Sequence, residues 1–199
     1  MKEKNTSCET KEFRAVWIAT VTNIDWPSKK GLTIEEQKTE YVKLLDDVTA
    51  MGMNAVVVQI KPAADAFYPS SYGPWSEYLT GVQGKDPGYD PLSFLLEETH
   101  RRKLEFHAWF NPYRITMNHT DLNRLSQDHP ARTHPDWVVA YGKQLYYNPG
   151  IPEAQEFIVQ GIAEVVKNYQ VDAVHMDDYF YPYKIAGVEF PDLSTYEQY

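Results

Sequence analysis

Four short runs rich in β-branched and aromatic residues, each separated from the next by a helical stretch, limit this chain more than any other feature. Phe13–Val21, Asn54–Ile60, Leu104–Phe110 and Val171–Met176 read as strands. Thr33 and Glu36 stand at the spacing of a capping box, ahead of Tyr41, Leu44, Leu45 and Val48 at helical intervals and a Met51-Gly52 stop. Asp90-Pro91 supplies an N-cap and a first-turn proline for a second helix running to Arg102. Pro152–Tyr169 makes a third, with Phe157, Ile158, Ile162, Val165 and Val166 on one side. The order is therefore β-α-β-α-β-α-β. Turns from helix to strand are short, whereas the connections after the second and third strands are long and rich in Gly, Pro and Tyr. Such asymmetry belongs to parallel α/β proteins whose chemistry lies at the C-terminal ends of the strands.

Several function classes fall away at this level. No strand is followed by a glycine-rich phosphate loop, since Val21-Thr-Asn-Ile and Ile60-Lys-Pro-Ala have neither a Rossmann nor a P-loop turn. A formal charge of −9 is the wrong sign for a surface that neutralises phosphates, so nucleic acid is not an expected partner. No apolar run approaches the roughly 18 residues of a membrane helix. The single cysteine, Cys8, allows neither an internal disulfide nor a multi-cysteine metal site. No Gly-x-Ser-x-Gly elbow is present, and Cys8 lies far from any strand end, so serine or cysteine nucleophiles are unsupported.

Alternation of strand faces brings the remaining polar residues together. In the fourth strand Ala173, His175 and Asp177 share a face, in the second Gln59 and Lys61, in the third His107, Trp109 and Asn111. Lys61, Asn111, His175 and Asp177 are thereby expected at one rim. A carboxylate among donors suits glycoside hydrolysis, which works through two carboxyl groups around an oxocarbenium-like transition state. A buried polar network without chemistry is the competing reading. Aromatic residues make up 14% of the chain and crowd the loops. Trp26, Tyr68, Trp75, Tyr113, Tyr179, Tyr181 and Tyr183 offer flat faces to the C–H surfaces of sugars, or else pin the loops down. His175, Asp177 and Asp178, with His119, His129 and His134, are also metal-ligand types, which keeps a metal-dependent hydrolase or deacetylase open. Adjacent strand residues face opposite ways, however, so Asp178 reads as a group beside the site rather than a co-ligand, and no metal or other cofactor is expected.

Four segments in order, Phe13–Ser28, Asp65–Ser70, Ala108–Arg114 and His175–Pro182, resemble the bacterial glycosyl hydrolase-like 10 family from Phe13 essentially to the C-terminus. The resemblance implies a (β/α)8 TIM barrel distantly similar to the alpha-amylase superfamily, in bacterial envelope or secreted proteins. It implies action on the glycan strands of peptidoglycan that lack stem peptides. Asp177 matches the strand-four aspartate of the alpha-amylase-like pattern, with His175 where an arginine stands there, and Lys61 replaces an arginine frequent in the family. Asp177 and Asp178 are then the expected catalytic residues, with Trp26, Lys61, Asp65, Trp109, Asn111, Tyr113, Arg114, His175, Tyr179 and Tyr181 around the polysaccharide. A catalytically inactive carbohydrate-binding barrel is the alternative.

Such a barrel takes about 250 residues and at least about 200, whereas four strands use most of this chain's 199. Residues 1–12 are expected to be a flexible tail, and 13–199 the N-terminal half of the barrel. The partner completing the sheet would be the C-terminal half, with a second catalytic carboxylate on a later strand, or a second copy of the chain. Met1–Thr10 has no apolar signal-peptide core, and Cys8 is the type of residue that a lipoprotein carries at its mature N-terminus.

Overall fold

The computed structural model describes residues 12–177 and 181–198; residues 1–11 of the expected tail, Cys8 among them, lie outside the described residues, as do Asp178 and Tyr179. Strands β1 (Ala15–Ile18), β2 (Ala55–Lys61), β3 (Glu105–Phe110) and β6 (Ala173–Met176) form one parallel sheet in the order β1-β2-β3-β6. The long helices α1 (Ile34–Ala50), α3 (Pro91–Arg101) and α5 (Pro152–Asn168) connect them, and α2 (Glu77–Thr80), α4 (Pro130–Thr133) and α6 (Leu193–Tyr196) are single turns. All four expected strands and three long helices are present. The first strand is shorter than its sequence suggests, because Val21–Asn23 folds as a 3-10 turn with Thr22 and Asn23 at left-handed φ.

The sheet has two faces. Val16 and Ile18, Val56, Val58 and Ile60, and Phe106, Ala108 and Phe110 point to the helices, where Tyr41, Leu45 and Val48 of α1 and Leu92, Leu95 and Leu96 of α3 cover them. Tyr41 also shares a hydrogen bond of 2.9 Å with the Thr99 hydroxyl, satisfying its buried phenol. The opposite face carries Trp17, Val57, Gln59, His107, Trp109 and His175. Trp17 packs near Trp109 and His175, with ring centroids 5.9 and 5.7 Å away. Val57 is only 3% exposed, lying between these large neighbours, whereas Trp17 is 63% exposed.

Helix entry follows the local sequence. The Thr33 hydroxyl accepts from the Glu36 N–H, and the Glu36 carboxylate accepts from the Thr33 N–H, a reciprocal cap that holds the Glu36 carboxyl below its ordinary range. Thr33→Ala is expected to cost about 1 kcal/mol of stability, read by urea denaturation of the full-length protein. In α5 a small residue is required at one position, because a Cβ on Gly161 would lie 3.2 Å from the Tyr72 Cβ; glycine lets the helix close on the loop after β2. The expected apolar side of α5 is only partly covered, since Val166 is 55% exposed.

The connection after β3 holds an antiparallel hairpin, β4 (Val138–Tyr141) and β5 (Gln144–Tyr147), where the residues by themselves read only as an aromatic loop. Gly142 makes its turn at φ +59, and a Cβ there would fall 2.8 Å from Ile185. Residues 113–115 add to the hairpin: the Tyr147 N–H donates to the Tyr113 carbonyl and the Ile115 N–H to the Leu145 carbonyl, both at 2.9 Å. The segment after β6 docks on the same hairpin. There the Ile185 N–H donates to the Tyr141 hydroxyl, which donates to the Val188 carbonyl.

Candidate active site

Trp109 and His175 lie opposite each other in the β3–β6 register. Two residues further along each strand, Asn111 and Asp177 meet at the C-terminal edge. Asp177 Oδ2 accepts from the Trp109 indole N–H at 3.1 Å and from the Asn111 amide at 3.0 Å, and Oδ1 accepts from the same amide at 3.3 Å. Asn111 is 1% exposed, and its Oδ1 accepts from the Arg114 backbone N–H at 3.3 Å. One buried amide therefore fixes the carboxylate and the start of the next loop together. His175 packs against the Trp109 ring at 6.0 Å in an edge-on arrangement.

Arg114 is the cation of this cluster. Its Nε and Nη2 donate to the Pro62 carbonyl at 3.1 and 2.7 Å, while its backbone bridges to Tyr146 of the hairpin. Burial pulls the guanidinium down from its ordinary range, and the negative charge of Asp177 pushes back, with Asp65 adding a smaller share. Arg114 also lines a groove of about 310 Å³ whose walls include Tyr141, Tyr146 and Tyr183. Tyr113 is half-buried against Ile115, Leu145 and Tyr147, and burial raises its phenol. Tyr181 keeps its ring 48% exposed on Phe190, while its hydroxyl donates to Asp192; burial and that bond push its phenol up to about 12.

Two expected site residues lie elsewhere. Trp26 is fully buried, with its indole N–H donating 2.8 Å to the Gln37 carbonyl and its ring against Tyr41 and Phe67. Its ring fills core and presents no face to a ligand. Lys61 does not reach the rim either. The β2–β3 register shifts between Gln59, which pairs with Trp109, and Lys61, which pairs with Phe110, so the irregularity sends Lys61 to the helix side. Its ammonium donates 2.9 Å to the Tyr72 carbonyl, and burial lowers it to about 8 against the opposing pull of Asp65 and Glu164. Strand alternation holds only along an unbroken ladder, and here the ladder is broken.

Asp65 is 2% exposed. Burial raises its carboxyl to about 6, with Ser76 and the Lys61 charge drawing it back. A carboxyl raised in this way favours folding most below its unfolded value near 4, and the contribution is lost as pH rises through about 6. The loop histidines are separate: His129 is buried and accepts from the Ala131 N–H, and burial depresses it to about 3. His134 stacks on Trp137 at 4.0 Å. Among the described residues no three His, Cys, Asp or Glu side chains converge on one point.

Tyr141 and Tyr146 belong beside the site although their sequence positions did not mark them as site residues. Their signal was a glycine-centred turn between two β-type runs, Val138–Tyr141 and Gln144–Tyr147. Pro62, whose carbonyl holds Arg114, carries no such mark; no side-chain pattern announces a backbone acceptor.

The sequence profile of the glycosyl hydrolase-like 10 family matches residues 12–199, the whole of the sheet and the loops that build this cluster. The chain belongs to the glycosyl hydrolase-like 10 family. It is 81% identical over 189 residues to the glycosyl hydrolase YngK of Bacillus subtilis (strain 168), covering 95% of this chain and 37% of that relative. To the glycosyl hydrolase DigH of Escherichia coli (strain K12) it is 39% identical over 209 residues, covering 98% of this chain and 47% of DigH. The chain thus spans less than half the length of these two relatives. Among solved structures it is similar to alpha-L-fucosidase isoenzyme 2 from Paenibacillus thiaminolyticus, with TM-score 0.55, 15% identity, and coverage of 84% of this chain and 23% of that one. The GH36 alpha-galactosidase AgaA from Geobacillus stearothermophilus gives TM-score 0.52 and 15% identity over 82% of this chain and 21% of that one. This glycosyl hydrolase-like 10 chain therefore shares the α/β fold of part of these glycosidases.

Proposed function

We propose that this chain supplies the first four βα units of a (β/α)8 glycosidase that cleaves bacterial glycan strands, with those of peptidoglycan lacking stem peptides as substrate. The observation that carries the reading is Asp177, a carboxylate held at the C-terminal edge of the sheet by Trp109 and Asn111, with Arg114 in its field. The indole and amide fix both oxygens in direction while leaving the group half-buried and accessible to a ligand. The aromatic groove beside Arg114 gives an extended chain of sugar rings a place to lie.

Asp177 is one of the two carboxyl groups that glycoside hydrolysis needs, and the second comes from a later strand. The unpartnered parts of the sheet agree with such a continuation. Val174 and Met176 point away from the Trp17 side and are 37% and 48% exposed, as residues awaiting a further helix and strand would be. A bacterial envelope or secreted location fits the substrate.

The test uses the full-length protein and denuded glycan strands. New reducing ends are expected from these strands and not from strands whose stem peptides are intact. Rates are expected to survive EDTA. Loss of activity with EDTA would favour the metal-dependent hydrolase, and saccharide binding without any new reducing ends would favour an inactive binding barrel.

A further inference from the structure

The groove beside Arg114 differs in charge from the molecule as a whole. The chain carries −9 overall, yet among the described residues the groove is lined by two cations, Arg114 and Lys143, and by no carboxylate. Neither cation is neutralised: no described Asp or Glu lies within ion-pair distance of either, whereas Lys184, between Tyr183 and Ile185 of the same wall, is paired with Glu189 at 3.3 Å. Arg114 donates from Nε and Nη2 to the Pro62 carbonyl, and its Nη1 makes no hydrogen bond among the described residues. A guanidinium partly withdrawn from water and bonded only to a neutral acceptor gains from an anion that docks beside it.

The hairpin sets Lys143 in place. Tyr141 pairs with Gln144 across the two-residue turn Gly142-Lys143, and Gly142, at φ +59, brings that turn close against Ile185. Lys143 stands exposed on it. Gln144 Oε1 accepts from the Tyr146 hydroxyl at 2.6 Å, which leaves the Gln144 amide N–H groups for another acceptor. Tyr183, 76% exposed, adds an aromatic ring to the same lining. Charged and amide donors beside aromatic rings fit a sugar that bears a carboxylate. A neutral sugar leaves both charges unanswered, and a bare anion leaves the rings unused.

Peptidoglycan strands without stem peptides carry such a group. A stem peptide is joined to the glycan by an amide at the lactyl carboxyl of muramic acid, and its removal returns a free carboxylate. We propose that Lys143, together with the Arg114 guanidinium, binds this lactyl carboxylate in the groove, and that Lys143 is thereby the residue that selects stripped strands over peptide-bearing ones. This rests on the glycosidase reading above for the identity of the strand. An amide in the same place presents no charge, and the sugar that carries it still displaces water from both cations, so the wrong strand loses affinity. The groove is also tied to the carboxylate site: the Asn111 side chain that donates to Asp177 accepts the Arg114 backbone N–H, so one buried amide sets the spacing between the two.

A soluble oligosaccharide prepared from denuded peptidoglycan strands, with its lactyl carboxyls either free or converted to methylamides, is titrated calorimetrically into full-length protein carrying Asp177→Asn, which binds without turnover. The methylamide removes the charge without adding the bulk of a peptide. This parent is expected to bind the free acid about tenfold more tightly than the methylamide, the worth of hydrogen bonds to a charged group. Adding Lys143→Gln is expected to cut that preference to about threefold or less, and Lys143→Arg to keep it near tenfold. Affinity for the methylamide and the melting temperature should stay the same in both variants, which a merely structural role for Lys143 would not allow. A preference within about twofold in the parent would overturn the carboxylate site, as would no binding of the free acid, or a preference in Lys143→Gln still above about fivefold. If the preference falls as expected while the wild-type protein releases no reducing ends, the carboxylate site stands and the hydrolytic reading falls. If the wild type cleaves both forms with equal kcat/KM and the parent binds them equally, the hydrolytic reading stands and the carboxylate site falls.

Discussion

Asp177→Asn in the full-length protein is expected to lower kcat on denuded glycan by about 10²–10⁴-fold, the range that a positioned acid, base or nucleophilic group supplies, and to leave the fold intact. The local geometry explains why these two effects separate. Asp177 Oδ2 accepts both the Trp109 indole N–H and the closer Asn111 contact. An asparagine carbonyl at that position still accepts both, while the 3.3 Å contact at Oδ1 becomes donor against donor. The melting temperature should therefore move little, while the amide can neither take up a proton nor attack an anomeric carbon. Saccharide affinity should stay close to wild type, so that the loss appears in kcat rather than KM. A variant that releases reducing ends at the wild-type rate would show that Asp177 is not a catalytic group, and would move the reading toward a carboxylate on another strand.

The strands that carry this site were legible because each is bounded by strong local signals. Thr33 with Glu36, Asp90 with Pro91, and a continuous apolar run such as Asn54–Ile60 leave few alternatives, and face alternation correctly placed Trp109, His175 and Gln59 on one side. Lys61 shows the limit. A single register shift after Gln59 turned it to the helix side, and such a shift depends on what the neighbouring strand and loop offer rather than on the residues themselves. Trp26 shows another. An aromatic residue in a loop between Asn23 and Pro27 looks available to sugars, but Gln37 on α1 provides a carbonyl for its indole and Tyr41 and Phe67 provide a bed for its rings. Whether a loop aromatic is buried is decided by tertiary contacts tens of residues away, which no local pattern contains. A cavity of about 470 Å³ beside Asp65 was invisible for the same reason: Thr22, Asp65 and His119 come from three loops, and only the parallel order of β1, β2 and β3 brings them together.

Gln59→Leu is expected to destabilise the protein by roughly 1–4 kcal/mol while nearly conserving volume, because two buried backbone donors lose the acceptor they share, a cost offset in part by removal of the unpaired Gln59 amide nitrogen. Gln59 is 1% exposed, and its Oε1 accepts the N–H groups of Thr20 at 3.2 Å and Val21 at 3.0 Å. These are the residues at which β1 leaves the sheet and turns into Val21–Asn23, with Thr22 and Asn23 in the left-handed region. Such backbone persists only where its surroundings hold it, and the Gln59 amide is a principal hold. The turn in turn supports the cavity: the Asn23 amide donates to the Tyr78 carbonyl at 2.9 Å and to the Pro27 carbonyl at 2.8 Å, and both Thr22 and Tyr78 line the cavity wall. Loss of the Gln59 acceptor should thus lower stability in urea denaturation and loosen the wall of this cavity. Backbone amides 20 and 21 should exchange with solvent faster, whereas amides in α1 should keep their relative protection. A Gln59→Leu protein within about 0.5 kcal/mol of wild type would mean that the turn after β1 finds other acceptors, and that the inward face of β2 contributes packing rather than the polar frame of the site.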